Sequence, residues 1–438
     1  MQELAPRTNA ELKADFEYAL NWSERMFGAL KSEALQQRPI ALRLPCIFYY
    51  GHLPAFTWNQ VFRAILNRPS FNSEFDNLFE RGIDPPDLGS GQFAALGAKP
   101  EWPAVSDISR YKQKVEKELF SVLDNEVIEP FSPLSAALHM VLEHYLMHIE
   151  TFAYMVHQLP YELKHAITIR EARSPARSVV RAARNSVSIP AGTATLGAKR
   201  GDIPFGWCNE FNETKVEVAV FEIDRYPVTN TQYMDFVVSG GYSNRHFWSE
   251  EGWRWLQSTG RQHPHFWVPN GNEWLFRGMF DLTELDGLAP VWVSFAEAQA
   301  FCQWRGKTLP TESQYHRAAY GTDSGAERPV MHPAGNYGLI GFTPTAVDAH
   351  PEGASNFGVE DLIGNGWEWT RTEFAPFSGF EPIASYPGYS ADFFDNRHFV
   401  LKGASPVTPA GLVRRSFRNW FQPHYPYVYA KFRTVQPE

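Results

Sequence analysis

The sequence predicts an α+β fold in two parts. A four-helix bundle comes first, and a mixed unit of short strands, short helices and long loops follows. Three observations predict it. Apolar residues recur at a helical period through most of residues 1–165. From about residue 188 the segments shorten, and Gly, Asn, Pro and Trp punctuate them. Between the two, residues 166–187 (AITIREARSPARSVVRAARNSV) are basic and rich in Ser and Ala, and read as a linker. The division expected is thus 1–165, 166–187 and 188–438.

In the first part, Asn9 to Leu30 carries Leu12, Phe16, Ala19, Leu20, Met26, Phe27 and Leu30 close to a 3.6 period. A shorter helix is predicted from Pro54 to about Asn67. Asp107 to Leu123 is periodic, with Asp107 or Ser109 as the N-cap. Pro133 to Leu159 begins after Ser132, the usual place for a first-turn proline. Breaker-rich loops, 81–91 and 97–107, make long crossovers between these helices. The facing positions of such a bundle can build a metal site. In the second part, strand-like runs are VEVAVFEIDRYPVTNTQYMDFV and HFVLKGAS. Helices are expected at Asn230–Val237 and Ser294–Arg305, with long loops elsewhere. Gly364, Asn365 and Gly366 read as a tight turn, and Trp367 and Trp369 as core anchors.

Composition narrows the function. The chain has 438 residues with 44% apolar and 20% charged residues, which is globular rather than disordered. Its formal net charge is −9 with no long basic run, so nucleic acid and anionic membrane are not expected partners. No apolar stretch approaches the ~20 residues of a bilayer span, and the first residues lack a secretory pattern. A cytoplasmic location is expected. Cys46, Cys208 and Cys302 are too widely spaced for a disulfide framework or a CxxC knuckle.

The sharpest local feature is HYLMHIE, holding His144, His148 and Glu150. Residues i and i+4 share one helix face, so two imidazoles there can grip one metal ion. Glu150 projects from another part of the turn and reads as a supporting partner rather than a ligand. A third ligand must come from another helix, and His52, at the start of the short helix in FYYGHLPAF, is the candidate. Gly51 beside it allows a close approach. Zinc is the commoner ion for a bare histidine set. His139, His157 and His165 read as helix-surface or packing residues.

Five motifs then occur in order: IPAGTATLGA, FEIDRYPVTNTQYMDFV, PVWVSFAEAQAFCQWRGKTLPTESQYHRAAYG, NFGVEDLIGNGWEWT and LKGAS…RRSFRNWFQPHYPYVYAKFRTV. Over about 188–435 this resembles the formylglycine-generating-enzyme/sulfatase-modifying-factor fold, a C-type-lectin-like domain. LKGASPVTP lacks the cysteines of true formylglycine generators, so thiol-to-aldehyde chemistry is not expected. With the histidine helix upstream, nearly the whole chain resembles the sulfoxide synthases of ergothioneine biosynthesis, which join a DinB-like helical domain to the lectin-like one. FYYGHLPAF, FERGIDP, YPGYSADFF and SFRNWFQPHYPYVYAKFR look closest to the branch with the fungal enzymes.

The resemblance implies an oxidoreductase with Fe(2+) held by His52, His144 and His148. It implies joining of a thiol to the imidazole C2 of hercynine with O2, leaving a sulfoxide. Tyr386 is the expected proton or hydrogen donor in the O2 chemistry, with Tyr389 as its neighbour. Asn419 and Trp420 match the hercynine segment, where a Trp face suits a trimethylammonium. Arg81, Arg415 or Arg418 would pair with a carboxylate of the thiol donor. Departures are Tyr145, Met147, the GASPVT of 403–408, and Phe421 where users of γ-glutamylcysteine tend to carry an acid. Cysteine is therefore the expected donor. Ovothiol- or selenoneine-type coupling, a zinc DinB-type thiol transferase and a non-catalytic binding protein are the alternatives.

Overall fold

A computed structural model describes residues 7–80, 102–168, 186–325, 327 and 333–437. Helix α1 (Asn9–Gly28) opens with a capping box: Glu11 N–H donates to Thr8 Oγ1 (3.3 Å), and Thr8 N–H donates to Glu11 Oε2 (2.8 Å). It buries Leu12, Phe16, Ala19, Leu20, Met26 and Phe27, the face expected from the period. Helix α2 (Cys46–Thr57) runs on as a π-helical stretch (Trp58–Arg63), and α3 (Ser73–Leu78) is short. Helices α4 (Val105–Asn125) and α5 (Pro133–Gln158) complete the bundle. α1 packs on α4 and α5, and α2 packs on α3, α4 and α5.

Two boundaries differ from expectation. α2 starts at Cys46, so Pro54 lies inside the helix and His52 in its body rather than at its start. The start is fixed upstream: Cys46 and Ile47 donate to the carbonyls of Gln37 (3.1 Å) and Leu35 (2.7 Å). Burial of Ile47, Phe48 and Tyr49 then outweighs the donor that Pro54 lacks. α4 starts at Val105, with Ala104 at the N-cap and no side-chain cap. Asp107 falls in the first turn, where its charge favours the helix dipole. For α5 the reading holds, with Ser132 Oγ accepting from Ser135 N–H at 3.1 Å.

The second part holds four small sheets. β1 (Ser186–Ile189) pairs with β4 (Phe221–Asp224), and β2 (Gly192–Leu196) with β3 (Thr214–Val218), both antiparallel. β5 (Trp267–Asn270), β6 (Glu273–Arg277) and β7 (Leu282–Glu284) form a meander. The central sheet runs β10-β9-β8-β11, from β8 (Gly366–Glu373), β9 (Phe399–Ala404), β10 (Asn419–Phe421) and β11 (Ala430–Lys431). Only β11 on β8 is parallel there. Helices α6 (Asn230–Val238) and α8 (Phe295–Arg305) stand where expected. Helices α7 (Glu250–Thr259) and α9 (Glu312–Tyr320) replace expected loop. Both carried a readable start: Ser249 caps Gly252 N–H, and Thr311 with Gln314 makes a capping box.

One hydrophobic core runs through both parts, from Leu12 and Phe16 to Trp367, Trp369 and Phe432. Trp369 is fully buried and donates to the Val293 carbonyl at 2.9 Å. The turn before β8 uses Asn365 at φ 61°, its Oδ1 accepting from Asn336 Nδ2 and Thr345 N–H, each at 2.8 Å. α5 is the shared element. His157, expected as surface or packing, is buried between Tyr429 Oη (2.9 Å) and the Arg277 carbonyl (2.7 Å). The fold class is α+β, as read.

Candidate metal centre

His52 on α2 and His144 and His148 on α5 meet inside the bundle, with one ring nitrogen from each within 4.8 Å of the others. The helix repeat puts His144 and His148 side by side, their ring centroids 4.4 Å apart. His52 faces both at 4.9 Å. A side chain at Gly51 would strike the Phe79 ring at 2.6 Å, and that close approach puts the Phe79 carbonyl 2.7 Å from His52 Nδ1. The carbonyl can only accept, so Nδ1 carries the proton and Nε2 presents a lone pair. That Nε2 lies 3.1 Å from His144 Nε2. Phe56 stacks on His144 (3.7 Å, 11°) and Phe48 on His52 (5.2 Å, 19°), fixing both rings.

Burial holds all three imidazoles neutral. His52 is pushed down to about 4 by loss of water, only partly opposed by the Phe79 carbonyl. His144 and His148 lie well below the ordinary histidine value, by burial first and then by neighbouring positive charge, including Arg43 for His148. Neutral imidazole is the metal-ligating form. The Nδ1 atoms of His144 and His148 are buried with no protein partner among the described residues. Three converging neutral imidazoles, each offering one ring nitrogen, fit a divalent transition ion.

His144 and His148 open onto a cavity of about 160 Å³ between α5, the 386–393 loop and β10. Tyr386, Tyr389, Arg418, Asn419, Trp420 and Phe421 line it. Tyr386 meets Phe56, the ring on His144, edge-on at 5.1 Å. Tyr389 stacks on Trp207 (3.8 Å), and its hydroxyl lies 3.3 Å from Met147 Sδ. Burial raises the Tyr389 phenol well above its usual range. Trp420 gives one face to Phe374 (4.3 Å, 6°), while Tyr389 and Phe393 stand at 5.4 and 5.6 Å. Phe421 stacks on Tyr425 at 5.1 Å.

The arginine expectations fare differently. Arg81 lies outside the described residues. Arg415 does not reach the cavity: it donates to Glu327 Oε2 (2.6 Å) and to the carbonyls of Thr195 and Gly197. Arg418 reaches it, but its fork is taken by Glu312, with two bonds of 3.1 Å, and by the Ala375 carbonyl. Spacing alone could not reveal these acids. Glu150, expected beside the histidines, turns to the second part instead. It accepts from Trp367 Nε1 (2.6 Å), Ser405 Oγ (2.6 Å) and Thr408 Oγ1 (2.9 Å).

Other groups went unread in the sequence. Arg43, in the loop before α2, lines the cavity and donates to the Tyr154 and Tyr425 hydroxyls. His398 lines it too, its Nδ1 held 2.9 Å from Asp395. Glu143, the residue before His144, joins Arg414 with two bonds of 2.8 and 2.9 Å, and Arg414 also bonds Glu210. No helix among the described residues is long and apolar enough to cross a membrane.

Comparison with known proteins gives a family for the second part and relatives for nearly the whole chain. Residues 171–437 match the family model of the Sulfatase-modifying factor enzyme 1-like domain. "Ergothioneine biosynthesis protein 1" of Neurospora crassa is 28% identical over 93% of this chain and 55% of its own length. The protein of that name in Schizosaccharomyces pombe is 28% identical over 91% of this chain and 52% of its own. "Hercynine oxygenase" of Mycobacterium tuberculosis is 34% identical over 55% of this chain and 58% of its own. The chain thus spans about half the length of the curated relatives it matches. With a histidine-bearing bundle ahead of that matched region, the chain belongs to the family of Sulfatase-modifying factor enzyme 1-like domains, and along nearly all of its length it is similar to proteins of ergothioneine biosynthesis.

Proposed function

We propose that this chain is an iron(II)- and O2-dependent sulfoxide synthase that joins a thiol, cysteine by preference, to the imidazole C2 of hercynine. The observation that carries the proposal is a cluster of three neutral histidines, two of which, His144 and His148, open onto one cavity lined by Tyr386, Asn419 and Trp420. The names of the relatives support the same reading. Residues 1–165 would carry the metal and 188–438 shape the cavity, joined by 166–187, in a cytoplasmic protein.

The reaction balances without further cofactor. The C–H and S–H bonds break, C–S and S=O bonds form, and one O2 takes four electrons to give the sulfoxide and one water. Iron(II) held by His52, His144 and His148 would supply O2 activation and open positions for the substrates. The residues do the rest. Trp420, Tyr389 and Phe393 offer rings to the trimethylammonium. The Asn419 amide, its Oδ1 held by Trp420 N–H at 2.9 Å, offers its Nδ2 as a donor. Tyr386, beside the Phe56–His144 stack, gives a proton to the oxygen being reduced. The aromatic walls keep water from the reacting thiol.

The test is oxygen uptake by anaerobically purified protein loaded with Fe(II). Uptake is expected only when hercynine and a thiol are both present, with a coupled sulfoxide in the mass spectrum. Equal turnover with zinc and indifference to O2 would instead mark a thiol transferase. No coupled product with cysteine, γ-glutamylcysteine or glutathione would refute the proposal.

A further inference from the structure

Helix α2 reaches the facing wall as well as the histidines. His52, Phe56 and Gln60 follow one another at four-residue spacing, so they share one face from α2 into its π-helical continuation. Wide turns close that continuation: Ala64 N–H donates to the Asn59 carbonyl and Leu66 N–H to the Val61 carbonyl, each at 3.0 Å. Phe56 stacks on His144 and meets the Tyr386 ring edge-on. One turn further, Gln60 Nε2 donates to the Ser385 carbonyl at 3.3 Å. Ser385 is exposed, and the residue after it is Tyr386. Residues 374–390 contain no helix or strand. Tyr386 sits there in a turn, its N–H donating to the Ile383 carbonyl (3.0 Å) and its carbonyl accepting from Tyr389 N–H (3.3 Å).

Glutamine is an uncommon residue to bury, yet Gln60 is only 9% exposed. Its Oε1 is buried with no partner among the described residues. An amide with an unused buried acceptor costs stability, and a methionine would fill the space without that cost. What glutamine adds over an apolar side chain is the Nε2 contact to the tyrosine loop. We propose that Gln60 is a positioning residue: by gripping the Ser385 carbonyl it holds Tyr386 against Phe56, and so favours the coupled reaction over oxidation of the thiol alone. This rests on the function proposed above. The proton moved is that of Tyr386, and Gln60 transfers none. The competing reaction adds both atoms of one O2 to the thiol and gives its sulfinic acid.

The experiment compares wild type with Gln60→Met, Tyr386→Phe and the double variant. The first readout is hydrogen exchange in metal-free protein. Peptides covering 383–389 should exchange roughly 3–10-fold faster in Gln60→Met, the weight of one hydrogen bond, while peptides of α5 and the urea midpoint stay as in wild type. The second readout is turnover of the Fe(II)-loaded proteins with hercynine and cysteine. The ratio of coupled sulfoxide to oxidised thiol should fall by a similar factor, with KM for both substrates within about twofold of wild type. Because Gln60 acts through Tyr386, the double variant should match Tyr386→Phe. An unmoved exchange rate, an unmoved product ratio or an additive loss in the double variant overturns the assignment. Should Gln60→Met fold poorly, Gln60→Asn withdraws the same amide by one methylene and is expected to show the same split, and a wild-type ratio there overturns it too. Coupling by wild type with an unmoved ratio in Gln60→Met refutes Gln60 alone, whereas a wild type that couples nothing refutes the function and this role with it.

Discussion

The two walls of the cavity are built by different physics. The histidine wall is regular: α5 sets His144 and His148 by the helix repeat, and α2 brings His52 across. The facing wall is irregular: the 386–393 loop and β10 are held by stacked rings, and α5 is tied to the second part through Glu143 and Glu150. A ligand on the first wall can therefore be lost with the fold intact. An anchor of the second cannot be lost so cheaply.

The largest effect belongs to the histidines. His144→Ala or His52→Ala should weaken divalent metal binding more than ~100-fold, beyond the loss seen when only a supporting partner of a ligand is removed. The helical content should persist, because the packing of α1, α2, α4 and α5 does not rest on these rings. Metal content after dialysis, alongside circular dichroism, reads both. Stoichiometric metal in either variant would break the assignment of this wall.

Next comes Arg414→Met. It leaves the buried carboxylates of Glu143 and Glu210 facing each other without their shared cation. Breaking such a site costs about 3–5 kcal/mol. The cost should shrink toward acid, because one carboxyl can then take a proton. Urea midpoints at pH 5 and pH 8 measure it, and a pH-independent loss below 1 kcal/mol would contradict it.

The histidine wall has its own pH signature in metal-stripped protein. His52 has a folded value depressed to about 4 by burial. Its contribution is therefore complete above the unfolded value near 6.5 and is lost as pH falls through about 4. That loss amounts to roughly 3 kcal/mol. His52→Asn should lessen the fall in urea midpoint across this window, with His144 and His148 carrying the remainder. Parallel curves for variant and wild type would place the acid sensitivity elsewhere.

On the irregular wall, Tyr386→Phe should keep metal and substrate binding but lower coupling by roughly 100-fold, the low end of what a positioned proton donor supplies. Flux is expected to shift to oxidation of the thiol alone. An unchanged product ratio by mass spectrometry removes Tyr386 from the chemistry.

How much of this was legible in the sequence follows the same contrast. α1, α5, α6 and α8 were readable because period and caps agree. The i,i+4 pair His144 and His148 was readable for the same reason. α2 was misplaced because a proline suggested a start that burial of Ile47 to Tyr49 moved upstream. α7 and α9 were missed although Ser249 and Thr311 announced them. The pairing of Arg415 with Glu327 and of Arg418 with Glu312 was not readable, because these acids lie far away in sequence. Arg43 carried no pattern at all, since its position depends on Tyr154 and Tyr425 from opposite parts of the chain.

The smallest effect is the sharpest test of the anchors. Glu143 and Glu150 both point from α5 into the second part, yet their partners differ in kind. Glu143 faces a guanidinium, whereas Glu150 faces an indole and two hydroxyls, all neutral. Burial pushes the Glu150 carboxyl up, and its three hydrogen bonds only partly oppose this. A raised folded value means that its contribution is present below the unfolded value and is lost as pH rises through the folded one. Glu150→Gln keeps one carbonyl oxygen for Trp367 and Ser405, and Thr408 can turn its hydroxyl to accept from the amide. The variant should lie within about 1 kcal/mol of wild type, closing the gap as pH rises from 5 to 8. A loss as large as that of Arg414→Met would mean that Glu150 is an ionic anchor after all, and the two contacts would then be one kind of joint rather than two.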